Sequence, residues 1–224
     1  MVSRMERFYD FLSTPLLPRA RIVLGLLIIP LALSFLFPLW QIRMSAPQYP
    51  EGLSIDIYAH KIIGGHDGVD LREINILNHY IGMKTINRAD LSDLDWIPFT
   101  LGFLGILTSR CAVIGTVRSL VDINVMTGYV LIFSMARFVF KLHGYGHDLN
   151  PDAPVKIAPF TPVIFGTKQI ANFTTSSYPQ LGTVLVGVFA LGLGVIVLWH
   201  LLRGRRNAIL QEKKLRDVVD GEPG

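Results

Sequence analysis

Cysteine is almost missing: Cys111 is the one thiol in 224 residues. A single thiol excludes an intrachain disulfide and any paired-thiol zinc or redox motif. Charge is scarce too, at 17% of residues against roughly 25% for an ordinary soluble domain, which argues against a lone soluble globule. Familiar catalytic signatures are also missing. No Ser-His-Asp order, P-loop, dinucleotide glycine pattern, HExxH or CxxCH is present, so hydrolase, ATPase, Rossmann oxidoreductase and c-type cytochrome lack support. No basic helix is interleaved with aromatics, so the net charge of +4 does not point to nucleic acid. A transmembrane b-type haem needs histidines in separate spans, and only His200 falls within one.

What is abundant is apolar sequence, at 50% of residues. Residues 22–40 and 181–202 hold no Asp, Glu, Lys or Arg, and each run matches the about 20 residues that cross a bilayer. The first exceeds the roughly 7 to 15 residues of a signal-peptide core and reads as a retained anchor. Between Leu94 and Phe140 the chain is apolar but interrupted by Arg110, Arg118, Asp122 and Arg137. One division gives spans at 96–115 and 120–140 around a turn at 116–119, with Arg110 and Arg137 near the membrane ends, where long side chains snorkel. The other starts the third span earlier and buries Arg118 with Asp122 as an intramembrane pair.

Orientation follows from Lys and Arg, which are retained on the cytoplasmic side of short loops. Residues 1–21, 109–122 and 203–224 carry 4, 2 and 6 of them, or 12 in 57 residues; residues 41–95 and 137–180 carry 5 and 4, or 9 in 99. Both termini are therefore expected in the cytoplasm. Segment 1–21 is a cytoplasmic lead-in, where Met5, Phe8 and Leu12 suggest a short amphipathic surface helix, and 203–224 a cytoplasmic tail. In the last span Thr183, Gly187, Ala190 and Gly194 stack small residues on one face, which suits close approach of another helix. The expected fold is an all-α membrane protein: four transmembrane helices with external loops at 41–95 and 141–180 that form a small lid.

Those loops are long and rich in apolar and aromatic residues, which suits a folded lid better than disorder. The first breaks at Pro47, Pro50 and Gly52 and again at Gly64, Gly65 and Gly68, leaving a short strand or helix at 54–63. A helix is predicted over 70–83, where Leu71, Ile74, Leu77 or Asn78, and Ile81 repeat at helical spacing. Prolines at 151, 154, 159 and 162 predict extended and turning backbone in the second loop.

Five of the six histidines lie in these loops. Imidazole is the commonest protein metal ligand and Met thioether favours copper(I), so His79 and Met83, at i and i+4, are candidate ligands. Packing and capping roles are the alternative. In His143-Gly-Tyr-Gly-His147-Asp148 the glycines favour a loop able to turn both rings toward one point, or simply a helix end. His60 and His66 flank a glycine turn beside Asp67 and complete the candidate metal set. Thioether with imidazole suits copper, although the spacing does not exclude zinc.

Four segments carry a resemblance: Ala46-Pro-Gln-Tyr-Pro-Glu-Gly-Leu53, Ile74-Asn-Ile-Leu-Asn-His-Tyr-Ile-Gly-Met83, Tyr145-Gly-His-Asp-Leu-Asn-Pro-Asp-Ala-Pro154, and Lys168-Gln-Ile-Ala-Asn-Phe173 through Ser177-Tyr-Pro179. Together, over about residues 20–200, the chain resembles a little-characterised family of bacterial membrane proteins associated with gene clusters for nitrous oxide reductase and its copper maturation. The resemblance implies an accessory role outside the cytoplasm, near copper traffic or electron supply to a cuproenzyme. Asn75, Asn78 and Asn172 would then orient imidazoles or bond the other loop, with turn and helix capping as the alternative. The expected function is a membrane-anchored accessory protein with a periplasmic His/Met copper site serving a partner redox enzyme; a structural subunit of a larger membrane complex is the alternative, and an enzyme or transporter built on the charged middle spans ranks last. The expected location is the bacterial inner membrane, with lipid bilayer as surroundings and no nucleic acid partner.

Overall fold

A computed structural model describes residues 4–88, 93–170 and 173–220. The elements run α1 (Arg4–Ser13), α2 (Pro18–Leu33), β1 (Trp40–Ala46), β2 (Tyr49–Ile57), β3 (Ile62–Gly64), α3 (Val69–Tyr80), α4 (Asp93–Ile114), α5 (Val117–His147), β4 (Gly166–Ile170), β5 (Phe173–Pro179) and α6 (Leu181–Asp220).

Four helical stretches are long and apolar enough to cross a membrane: Pro18–Leu36, Leu94–Ile114, Val117–His147 and Leu181–Leu210. Pro18 opens α2 at a position where its missing N–H costs nothing. Leu24, Leu104, Leu120, Phe189 and Leu193 are almost wholly buried and form the centre of the bundle. The helix α6 carries most of the seam, because Val186, Phe189, Leu193, Ile196 and Val197 recur at helical spacing and all turn inward. The small-residue stripe lies beside this seam; its Gly194 faces Asn124 of α5, while close approach to α2 falls at Gly192, against Leu27.

At one end of the bundle the N-terminal segment clasps the α4–α5 turn. Leu16 N–H donates to Gly115 O at 3.3 Å and Val117 N–H to Thr14 O at 3.1 Å. The Arg21 guanidinium adds a bond to Val113 O at 2.9 Å. Arg118 and Asp122 lie in the first two turns of α5, exposed on the chain's own surface, and the apolar stretch Val117–His147 includes both, as in the division that starts the third span earlier. In α1, Met5 and Phe8 are exposed while Phe11 and Leu12 pack on the bundle.

The opposite end overturns the all-α expectation. A five-stranded sheet, in the order β3-β2-β1-β5-β4 and antiparallel throughout, stands there. The physical reason is a period of two: Trp40, Ile42 and Met44 alternate with Gln41, Arg43 and Ser45, and side chains on a strand alternate between faces. The first span accordingly ends by Leu36, and Trp40 opens a strand instead of closing a helix. The segment 54–63 divides between β2 and β3.

The central pair, β1 with β5, joins the two segments between the spans into one body, with Ile42 opposite Ser177 and Arg43 opposite Ser176. A second seam reinforces it. The helix α3 closes with a left-handed Gly82 (φ +78°), with Met83 N–H on Asn78 O at 2.8 Å and Gly82 N–H on His79 O at 3.2 Å, the double bond pattern of a glycine-terminated helix. Asn150 N–H then donates to Gly82 O at 2.8 Å and Val155 N–H to Tyr80 O at 3.0 Å. The helix predicted over 70–83 therefore stops at Tyr80, and its last turn becomes a docking point for the second segment.

Candidate functional site at the junction of lid and bundle

The inner face of the sheet and the sheet-side end of α5 enclose a cavity. Ile42 and Met44 of β1, Ile55 and Ile57 of β2, and Phe173 and Thr175 of β5 line it, two apart on each strand as one sheet face requires. The floor is a stripe of α5, Ser134, Arg137, Phe138, Lys141, Leu142 and Tyr145, at spacings of three and four. Leu77 and Ile81 of the α3 region form the roof, and Trp96 and Ile97 at the start of α4 close one side. The cavity holds about 450 Å³ and no Asp or Glu is among the described residues lining it.

With 31 residues, α5 is about 46 Å long at 1.5 Å per residue, longer than a hydrocarbon core of about 30 Å. Trp40 anchors the sheet to this helix: its ring centroid lies 5.0 Å from that of Phe138, and its Nε1 donates to Ser177 Oγ at 2.7 Å. Ser177 Oγ in turn donates to Ile164 O at 3.0 Å, so one buried hydroxyl ties three segments.

The candidate metal ligands are placed apart. His79 is exposed on an outer groove with Arg72, Asn75 and Arg88, whereas Met83 lines the inner cavity. The i, i+4 relation fails because the helix ends between them. His60 is exposed on a turn, its ring 6.3 Å from that of Tyr58. His66, at φ +48°, belongs to a structural cluster. Its Nδ1 contacts Asp70 Oδ1 at 2.7 Å, while Asp70 Oδ2 accepts from Ser54 N–H at 2.8 Å and Ser54 Oγ at 3.3 Å.

Asp70 is 2% exposed, so its charge depends on those donors. Burial pushes its carboxyl up, but the Ser54 backbone N–H, His66 and the Ser54 hydroxyl together hold it below the usual value. The same contact, first by its hydrogen bond and then by charge, raises the His66 imidazole. Bulk is excluded beside it, because a methyl on Gly65 would overlap Ser54 Oγ and Asp70 Oδ2.

His143 and His147 are the pair that comes together, on a helix and not a loop. Gly144 and Gly146 continue α5 to His147, and Gly146 is used for contact: any side chain there would overlap Phe160 O, while Phe160 N–H donates to Gly146 O at 3.0 Å. The two exposed rings stack 3.7 Å apart at an interplanar angle of 8°. His147 Nδ1 lies 3.0 Å from His143 O. A carbonyl only accepts, so Nδ1 is the donor in this contact and Nε2 is the nitrogen left to face a ligand. In this stack no ion can lie in both ring planes, and chelation requires one ring to rotate. Among the described residues no three of His, Cys, Asp and Glu converge as a metal centre.

Asn75 and Asn78 take structural roles. Asn75 Oδ1 accepts from Ile86 N–H at 2.7 Å and its amide donates back to Ile86 O at 3.2 Å; Asn78 Nδ2 reaches Lys84 O at 3.4 Å. Asn172 lies outside the described residues. The Arg137, Lys141, Tyr145 stripe is not singled out by the sequence reading, which places Arg137 alone near a membrane end; the signal for the stripe is its four-residue spacing. Compared with known proteins, the chain matches no protein-family model, no curated protein and no solved structure.

Proposed function

We propose that this chain is a membrane-anchored accessory protein of the bacterial inner membrane, its lid in the periplasm, serving a partner redox enzyme and handling copper for it through His143 and His147. The observation that carries the reading is the pairing of β1 with β5, which makes one built domain of two segments at one end of the spans. Orientation rests on charge. The N-terminal segment, the α4–α5 turn and the tail hold 12 of the 21 Lys and Arg, and the first two meet at the end away from the sheet. The redox partner and the metal come from the resemblance of the lid segments to proteins of copper-maturation clusters, with imidazole nitrogen as the ligand.

The test is a copper(I) titration of the detergent-purified chain against a chromogenic chelator. The expected result is one ion bound, lost on joint His143→Ala and His147→Ala replacement and unchanged by His79→Ala. Equal binding by the double variant, or none by the parent chain, would overturn the copper reading.

A second reading, a structural subunit of a larger membrane complex, has its own observation. Tyr129, Ile132, Phe133 and Phe140 of α5 are exposed, a large apolar area on a span that packs less than its neighbours. Native purification separates the two: a chain that leaves its membrane only with fixed stoichiometric subunits supports the second, and a stable copper-holding monomer counts against it.

A further inference from the structure

The sheet stands on the bundle by one set of strand ends. Trp40 opens β1 opposite both Ile57, the last residue of β2, and Pro179, the last of β5, while Gly166 opens β4 opposite Ser177. This bundle-side rim is fixed in place: Gln180 N–H donates to Leu39 O and Gly182 N–H to Pro38 O, each at 2.9 Å, and Ala59 of the β2–β3 turn is buried in the bundle core. The far rim, at the Ala46–Tyr49 hairpin, stands about 20 Å away along the seven-residue β1. On the bundle-side rim the fold leaves rings uncovered. Phe165 and Tyr178 are exposed and meet edge to face, their centroids 5.6 Å apart at an interplanar angle of 73°, with the Tyr178 hydroxyl 3.3 Å from Thr167 Oγ1. At the β2–β3 turn Lys61 Nζ sits 5.0 Å from the centre of the Tyr58 ring. Trp40 is buried against Phe138, so it is not available as an interfacial anchor, and these exposed rings stand where one is expected.

We propose that the bundle-side rim of the sheet is seated in the head-group layer of a phospholipid bilayer, with the Phe165–Tyr178 pair inserted at its edge. Continuity with the spans points to lipid as the occupant. Leu181, three residues after Tyr178, opens one apolar stretch and is exposed, and Leu36, which closes another, is exposed beside it in the fold, where Gly182 packs on Phe37 O. The chemistry of the rim fits the same layer. A ring with a hydroxyl tip and an ammonium held over a ring both suit surroundings that are apolar on one side and wet on the other. Left in water, the Phe165 ring forfeits the gain that burial of its apolar area would bring. The inference rests on the membrane-anchored reading and on no part of the copper one.

Fluorine NMR of the full chain in nanodiscs of phosphatidylcholine and phosphatidylglycerol tests it. Para-fluorophenylalanine is placed at Phe165, at Phe103 on the exposed side of α4, or at Gln48 on the far rim, and meta-fluorotyrosine at Tyr178, with one label in each sample. The fluorinated rings at 165, 178 and 103 are close to isosteric with those they replace, so the fold is kept. Two relaxation agents are compared: a phosphatidylcholine that carries a nitroxide near its head group, and a water-soluble gadolinium chelate. The expected result is that the signals at 165 and 178 are lost to the nitroxide lipid before the chelate reaches them, and that the signal at 48 shows the reverse order. Loss of the Phe103 signal to the nitroxide lipid reports the span. Signals at 165 and 178 that follow the order seen at 48, beside a Phe103 signal that responds to the lipid, would overturn the proposal and leave the membrane reading standing. Signals at 165 and 178 that neither agent reaches would show the rim covered by a second copy of the chain, which would also overturn it. A Phe103 signal untouched by the nitroxide lipid would remove the membrane reading and the proposal together.

Discussion

The bundle and the lid are held together by different means. In the bundle the buried core is mostly Leu, Val, Ile and Phe, and its buried hydroxyls, such as Thr108 and Thr127, bond carbonyls of their own helix. In the lid a small apolar group, Leu53, Ile55 and Ile74, is framed by polar ties: Asp70 to Ser54 and His66, Trp40 to Ser177, Asn75 to Ile86. A Lys84–Asp148 ion pair on the surface adds a further link between the two lid segments. Burial of apolar area is tolerant of detail, whereas a tie fails when one partner is removed, because the other is left buried and unsatisfied. The lid should therefore be the part that single substitutions dismantle, with the bundle left standing.

Substitutions can sharpen that contrast. The largest effect is expected from Gly146→Val, whose side chain would overlap Phe160 O: a loss of about 3 kcal/mol from the lid, at the upper end of overpacking costs. It is read as faster amide exchange over 155–162 with α6 unchanged. Asp70→Ala removes the acceptor of a part-buried Ser54 N–H and should cost about 2 kcal/mol, again confined to lid amides. In the bundle the contrast inverts. His200 is 5% exposed, its Nδ1 bonds Ile196 O at 2.9 Å, and its Nε2 has no partner among the described residues. His200→Leu removes that unsatisfied nitrogen, so resistance to denaturant should stay constant or rise by about 1 kcal/mol; a clear loss would show that the nitrogen is used.

The smallest effect is one of pH. The lowered Asp70 contributes stability that is complete above the ordinary carboxyl range and fades as pH falls through its depressed value. The raised His66 contributes stability that is complete below its ordinary pKa of 6.5 and fades as pH climbs through its elevated value. Protection of the β2 and α3 amides, relative to intrinsic exchange, should be greatest in the mildly acidic window between, and His66→Gln should remove the alkaline limb and shrink the acid one, because His66 also helps hold Asp70 low.

The same contrast explains what the sequence made legible. The spans could be read because a bilayer demands a long uncharged run, a local property visible at 22–40 and 181–202. The sheet pairs strands over long sequence separations, Arg43 lying beside Ser176, and no local window contains that pairing. Its one local trace, the alternation from Trp40 to Ala46, follows directly on an apolar span, so Trp40 reads as an interfacial anchor. Helical spacing located α3 within a few residues, but not the Gly82 turn that sends His79 and Met83 to opposite sides. Glycines at 144 and 146 suggest a loop in isolation; in the fold, Gly146 is a helical residue chosen for contact with Phe160.

The central claim, one lid built from both segments and lying outside the cytoplasm, is tested most directly by a cross-strand disulfide. Arg43 and Ser176 are direct partners on β1 and β5, a separation of about 4.5 to 5.5 Å between Cα atoms that a disulfide can bridge. With Arg43→Cys and Ser176→Cys introduced into a Cys111→Ala chain, a membrane-impermeant oxidant applied to intact spheroplasts should close the bond in nearly every molecule. Free thiols at both positions, or closure only when the cytoplasmic face is opened, would contradict it.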